Sequence, residues 1–222
     1  MLHFTRQDSA RIRPLPRGDG HPVIVVPGLL TSNGSTLPMR RFLRARGFDV
    51  TGWRRGVNLG AIATFDAFAD EVAERASRVG RAVSLIGWSL GGIAVRWAAH
   101  KHPDAVRQVI TMGSPILADP RVHPLFPLYL RFNGSTLAEY SDDRIAAINQ
   151  TPKVPATAIA SRRDAIIPFE IACQPPSETA ETIEVSEGHA GLGLSPRVWR
   201  ILADRLAQPE GAWAPYAGSG AR

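Results

Sequence analysis

The sequence predicts an α/β fold: a mostly parallel sheet of about six strands, with helices on both faces and a small cap insertion. Three observations carry this. Short β-branched apolar runs alternate with longer amphipathic stretches. The runs show no polar alternation, as strands buried on both faces require. Glycine or proline punctuates most junctions.

Residues 1–20 carry Arg6, Arg11, Arg13 and Arg17 among Pro14, Pro16, Gly18 and Gly20. They are expected to form a weakly structured lead-in with at most a short edge strand. Val23-Ile24-Val25-Val26, stopped by Pro27-Gly28, is the first core strand. Residues 36–46 follow as a helix with Ser35 or Thr36 as cap, ended by Gly47. Phe48 to Trp53 is the second strand. Thr64 is expected to cap a helix with Phe65, Phe68, Val72, Ala76 and Val79 on one stripe, ended by Gly80. Val83-Ser84-Leu85-Ile86 is the third strand, and Leu90 to His102 a small-residue helix suited to burial against a sheet. Residues 106–112, 154–160 and 183–185 complete the strands. Ser195-Pro196 opens a last helix to about Ala207, with proline at its favoured first position. The core is thus residues 21–207, and residues 208–222 read as a flexible tail. One connection breaks the alternation. Residues 115–153 are too many for a plain connector and need structure of their own, including a short helix capped near Ser141.

Composition narrows the function. The 222 residues are 44% apolar and 21% charged, which excludes global disorder and fits one domain. A single cysteine, Cys173, excludes an intrachain disulfide. No run approaches the roughly 18 apolar residues of a membrane span. No signal-peptide core follows Met1, so the chain as it stands is expected to be cytoplasmic, without stable membrane insertion. Lys+Arg 26 against Asp+Glu 20 gives a net charge of +6, nearly all of it arginine, since only Lys101 and Lys153 are lysines. No aromatic-interleaved basic patch accompanies the arginines, and no nucleic-acid partner is expected. No histidine, carboxylate or cysteine cluster has ligand spacing, so neither metal nor cofactor is expected.

Gly87-Trp88-Ser89-Leu90-Gly91 fits the pattern G-x-S-x-G between an apolar strand and an apolar helix, the context that gives it meaning. A strand turning sharply into a helix holds Ser89 in strained geometry, with flanking glycines where a Cβ would collide. Ser89 then lies at a helix N-terminus, and the Leu90 amide points where an oxyanion would form.

A serine hydroxyl needs a neighbouring base. Of six histidines, His100 and His102 lie at the far end of the following helix, roughly 15 Å from the elbow at 1.5 Å per residue. His3 and His21 precede the first core strand, at its wrong end, and His123 belongs to the insertion. His189 follows the last strand, and loops leaving strand C-termini line the active face of a parallel sheet. An imidazole base needs an orienting carboxylate. Asp164 follows the fifth strand; Glu170, Glu187, Asp119 and Asp142 are the alternatives, and a surface ion pair with Arg162 or Arg163 is the other reading of Asp164. The second oxyanion donor is expected from Pro27-Gly28-Leu29-Leu30-Thr31, with the Leu29 amide the natural choice.

These segments resemble the α/β-hydrolase superfamily, in its small bacterial lipase and carboxylesterase branch. The likeness runs from about Val23 to about Leu206. It rests on Val25-Val26-Pro27-Gly28-Leu29, the elbow around Ser89, Ser161-Arg162-Arg163-Asp164 with Pro168, and Gly188-His189-Ala190-Gly191-Leu192. The order Ser89, Asp164, His189 is that family's order. The resemblance implies Ser89 as nucleophile, His189 as base, Asp164 as orienter, the Leu29 and Leu90 amides as oxyanion hole, and a small-molecule ester or lipid as substrate. Many members carry histidine where Pro27 stands. Many also begin with an antiparallel strand pair, expected here to be shortened or absent. Trp88 either covers the elbow from the side or packs in the core. Asn58, in Arg55-Gly56-Val57-Asn58-Leu59-Gly60, resembles a lipase-like stretch and is read as packing. The insertion falls where the family places its cap. Its Leu125, Phe126, Leu128, Tyr129, Leu130 and Phe132 are expected to wall an acyl pocket, together with Leu30 and Trp88, or to form a satellite core, and the two are compatible.

The same three groups would also serve a thioesterase, an amidase or an acyltransferase. A dehalogenase would want Asp at position 89. A non-catalytic hydrolase relative would usually lack one of the three.

Overall fold

A computed structural model describes residues 15–122 and 126–218, the Leu128 side chain excepted. Strands β1 (Pro22–Val26), β2 (Asp49–Gly52), β3 (Val83–Trp88), β4 (Val106–Met112), β5 (Ala156–Ser161) and β6 (Ala180–Val185) form one sheet in the order β2-β1-β3-β4-β5-β6. Every neighbouring pair is parallel, in keeping with the expected sheet. The chain runs from β1 out to the edge strand β2, then returns to place β3 on the other side of β1. At such a reversal the loops leaving adjacent strands diverge and open a crevice at their C-terminal ends.

The helices are α1 (Leu37–Ala45), α2 (Ile62–Val79), α3 (Gly91–Lys101), α4 (Phe126–Asn133), α5 (Asp142–Asn149), α6 (Phe169–Ala172), α7 (His189–Leu194) and α8 (Pro196–Leu206). Successive side chains of β1 point to opposite faces, and both faces are covered. Val23 and Val25 meet Met39 and Leu43 of α1, Leu192 of α7, and Val198 and Leu202 of α8. Ile24 and Val26 meet Phe65, Phe68 and Val72 of α2 and Ala94, Val95 and Ala98 of α3. This two-sided burial is why the strand reads as an unbroken apolar run.

Several expectations shift. Helix α2 begins at Ile62 behind an extended Ala61, so Thr64 lies inside the first turn and caps nothing. Thr36 holds the cap position of α1, but its hydroxyl donates back to the Asn33 carbonyl at 3.3 Å. The Ser141 and Ser195 hydroxyls do accept from backbone amides at the starts of α5 and α8. Helices α4, α6 and α7 have no counterpart in the sequence reading; α7 holds two glycines in six residues and reads as loop. In the 115–153 connection Phe126, Tyr140 and Ile145 bury themselves against Ile62 of α2 as a satellite core.

Residues 208–218 hold no helix or strand, yet they are fastened rather than loose. The Tyr216 amide donates to Glu181 Oε2 at 2.8 Å and Arg205 Nη1–H to the Ala214 carbonyl at 2.7 Å. Residues 1–14, 123–125 and 219–222, with His3, His123 and Leu125, lie outside the described residues, as does the Leu128 side chain. No helix among the described residues is long and apolar enough to cross a membrane.

Candidate active site

Ser89 turns the chain from β3 into α3 with a φ of 54°, a region that side chains with a Cβ avoid. Backbone bonds hold it there: its N–H donates to the Met112 carbonyl at 2.8 Å, and its carbonyl accepts from Gly92 N–H at 2.9 Å. The crowding explains the glycines. A Cβ at Gly87 would stand 2.5 Å from the Gly92 Cα, and one at Gly91 would stand 2.7 Å from the Pro27 carbonyl oxygen. The strand-turn-helix context thus produces an apex hydroxyl clear of the sheet.

His189 opens α7, just beyond β6, and Asp164 lies in the turn after β5. The two strands are neighbours, so the side chains meet although they are 25 residues apart. Nδ1 of His189 lies 2.7 Å from Asp164 Oδ2, and Nε2 lies 3.0 Å from Ser89 Oγ. An ionised carboxylate only accepts, so Nδ1 carries the hydrogen and Nε2 presents its lone pair to the Ser89 hydroxyl. The Asp164 side chain is 1% exposed and its other oxygen accepts the Ile166 and Ile167 amides, each at 2.9 Å. Those two amides stabilise the charge and fix the carboxylate plane. Trp88 also holds His189: its indole N–H donates to the His189 carbonyl at 3.2 Å.

The other candidates are engaged elsewhere. Arg162 faces Glu184 at 3.3 Å and Glu170 at 3.9 Å, not Asp164. Glu187 accepts the Ser195 hydroxyl, and both Asp119 and Asp142 lie against Arg121. His102 pairs with Asp70 at 2.9 Å and His100 stacks on Trp97. His21 is fully buried at the opposite end of the sheet, between Asp19 and Ser84.

Gly28 lies directly against the serine. A Cβ there would stand 3.1 Å from the Ser89 Cβ and 3.7 Å from its Oγ. The next residues, Leu29 and Leu30, are exposed, and Leu30 adopts a φ of 57°. Two residues proposed to line the pocket take their core-packing alternative instead. Trp88 belongs to the main core, and Phe126 is 5% exposed in the satellite core, because each ring gains more by burial against other rings than by lining a crevice.

Sequence reasoning missed two neighbours. Gly113, just past β4, sits beside the Asp164–His189 pair with a φ of 51°. A glycine at a strand's C-terminal end, in Met112-Gly113-Ser114-Pro115, was the available signal. Arg96 of α3 is 2% exposed and donates to the carbonyls of Ile148, Asn149 and Gln150 and to Gln174 Oε1. It ties α3, the helix that follows Ser89, to the end of α5. Among the described residues no group of three or more His, Cys, Asp or Glu is placed to hold a metal ion.

This strand-end assembly is that of an α/β hydrolase. A family profile described as the alpha/beta hydrolase fold matches residues 22–154, more than half of the chain, and the chain belongs to that family. No curated protein sequence matches it. Solved structures share the fold at low identity. Aspergillus fumigatus lipase B has a TM-score of 0.67 and 19% identity, covering 90% of this chain and 56% of its own. The Paleococcus ferrophilus monoacylglycerol lipase has a TM-score of 0.62 and 17% identity, covering 86% and 95%. A pyrethroid hydrolase from Sphingobium faniae JZ-2 has a TM-score of 0.58 and 18% identity, covering 85% and 98%.

Proposed function

We propose that the protein is a serine hydrolase of carboxylic esters. One observation carries the reading: a strained serine at the end of β3 whose hydroxyl lies 3.0 Å from an imidazole that is itself held by a buried carboxylate at 2.7 Å. In this reading His189 Nε2 takes the Ser89 proton as Oγ attacks the ester carbonyl. The negative charge forming on the carbonyl oxygen is met by the amides of Leu29 and Leu90. The imidazolium, stabilised by Asp164, returns the proton to the leaving alkoxide, releasing the alcohol and leaving Ser89 acylated. A water molecule, deprotonated by the same nitrogen, attacks the acyl group, and the proton then restores Ser89 as the acid departs.

Exposed Leu29, Leu30, Ile166 and Leu194 follow closely on Gly28, Asp164 and His189, and favour an apolar acyl group. Residues 115–153 fit a cap. The Tyr129 hydroxyl donates to the Gly60 carbonyl at 2.9 Å, and Gly60 in turn lies against Leu90. The three similar structures named above are two lipases and a pyrethroid hydrolase, which agrees with ester chemistry.

The test is turnover of p-nitrophenyl esters of graded chain length, with labelling by a fluorophosphonate. Both are expected for the native protein, and both are lost in Ser89→Ala with the fold retained. Retained turnover in that variant would remove Ser89 from its role.

A further inference from the structure

We infer that Asn58 is the positioning residue of the oxyanion loop, aiming the Leu29 amide at the reacting carbonyl; the inference rests on the serine-hydrolase reading above. Asn58 lies in the connection between β2 and α2 and is fully buried. It grips the loop after β1 at three points. Its Nδ2–H donates to the Pro27 carbonyl at 2.8 Å, its own carbonyl accepts the Leu30 N–H at 2.8 Å, and its N–H donates to the Thr31 carbonyl at 2.8 Å. Its Oδ1 accepts the Gly60 amide at 3.0 Å, which fixes the side-chain amide plane. Both ends of that amide are therefore used, one on each loop.

The grip falls on the residues that bracket Gly28 and Leu29. Proline locks φ at position 27 but leaves ψ free, and ψ swings the Pro27 carbonyl together with the following peptide. Gly28 adds a residue with little steric restraint of its own. Pro27 also has no N–H with which to anchor itself. The Leu29 N–H shares one planar peptide unit with the Gly28 carbonyl, which the Thr31 N–H and hydroxyl hold at 3.3 and 2.8 Å, while Asn58 fixes the Pro27 carbonyl before that unit and the Leu30 N–H after it. Leu30 occupies the left-handed region at φ 57°, a conformation that a residue with a Cβ keeps only when its surroundings impose it. Within the loop, Thr31 closes back on the Gly28 carbonyl through its hydroxyl at 2.8 Å. Thr31 stabilises the turn; Asn58 orients it relative to Ser89.

An oxyanion donor acts in the transition state, so its misalignment is read in kcat and in the affinity for transition-state analogues. The experiment uses the full chain with Asn58→Ala and the isosteric Asn58→Asp, which keeps the acceptor and removes the donor. Steady-state turnover of p-nitrophenyl butyrate is measured together with inhibition by an alkyl trifluoromethyl ketone. The expected result is a fall in kcat of about 10²-fold with KM nearly unchanged, and inhibitor binding weakened in parallel with kcat/KM. Circular dichroism identifies a variant that fails to fold, and the other is then read in its place. A lower melting temperature with unchanged kcat and inhibitor affinity overturns the inference while leaving the hydrolase reading intact. Native protein that neither turns over esters nor reacts with a fluorophosphonate overturns both.

Discussion

Gly113 stands so close to Asp164 that a Cβ on it would lie 2.8 Å from the carboxylate Oδ2. The same atom would lie 3.3 Å from His189 Nδ1 and 2.6 Å from Leu192 Cδ1. The end of β4 is thus pressed against the pair proposed to serve Ser89.

Gly113→Ala is therefore expected to displace the carboxylate, the ring or both. A misplacement on the scale of an ångström lowers turnover by about 10²-fold. The positive φ adds strain to the variant. Ester kinetics alongside thermal melting would show it. Unchanged kcat would mean that the pair shifts as a unit without losing alignment.

Asp164→Asn should keep the backbone contacts of the turn, since one amide oxygen can still accept from Ile166 and Ile167. Its NH₂ would then face Nδ1 and drive the ring hydrogen to Nε2, where Ser89 needs an acceptor. A loss of about 10⁴-fold in kcat is expected at neutral pH. A loss smaller than tenfold would transfer the orienting role to another carboxylate.

Among the described residues Arg96 has no carboxylate partner in its buried site, and burial draws its pKa down to about 10. It remains charged at neutral pH, held by carbonyls at the negative end of α5. Arg96→Met should leave those acceptors buried and unpaired, a loss of about 1–3 kcal/mol. Urea denaturation would measure it. Limited proteolysis should find cleavage within residues 115–153 faster than in the native protein, whereas equal rates would show that the insertion is held by its own small core.

Stability should fall on acidification below pH 6.5. Burial, followed by a smaller contribution from Arg107, holds the His21 pKa below 6.5, against hydrogen bonding to Asp19. Below 6.5 the unfolded chain takes up a proton that the folded chain refuses, so unfolding becomes easier as pH drops. Asp19 is opposed by burial, yet hydrogen bonds from His21 and Arg107 hold its carboxyl low. Its contribution is present above 3.8, its ordinary value, and begins to be lost only below that. Melting temperatures from pH 7.5 to 4.5 isolate the histidine. His21→Asn should flatten the slope, and an unchanged slope would assign it to other groups.

The β-strands were legible because burial on both faces leaves a one-letter signature: Val23-Ile24-Val25-Val26 cannot be an exposed loop. The elbow was legible because Gly87 and Gly91 are demanded by local collisions. Asn58 was read as packing because its partners, Pro27, Leu30 and Thr31, lie in another loop, and a hydrogen bond between loops leaves no periodicity. The sequence places His21 at the wrong end of β1, as the structure has it, but its bond to Ser84, 63 residues away, leaves no local pattern. Helix α7 was hidden by Gly191 and Gly193. Gly193 packs where a Cβ would strike the Trp88 ring, so tertiary contact outweighs weak helix propensity there.

All six strands end at this crevice with a residue to offer: Gly28 after β1, Asn58 after β2, Ser89 after β3, Gly113 after β4, Asp164 after β5 and His189 after β6. No rib of the scaffold is a bystander, so slippage between any two would be felt at the atoms proposed to react. Such a machine has no spare parts to lose first: on heating, the catalytic output and the architecture should vanish together.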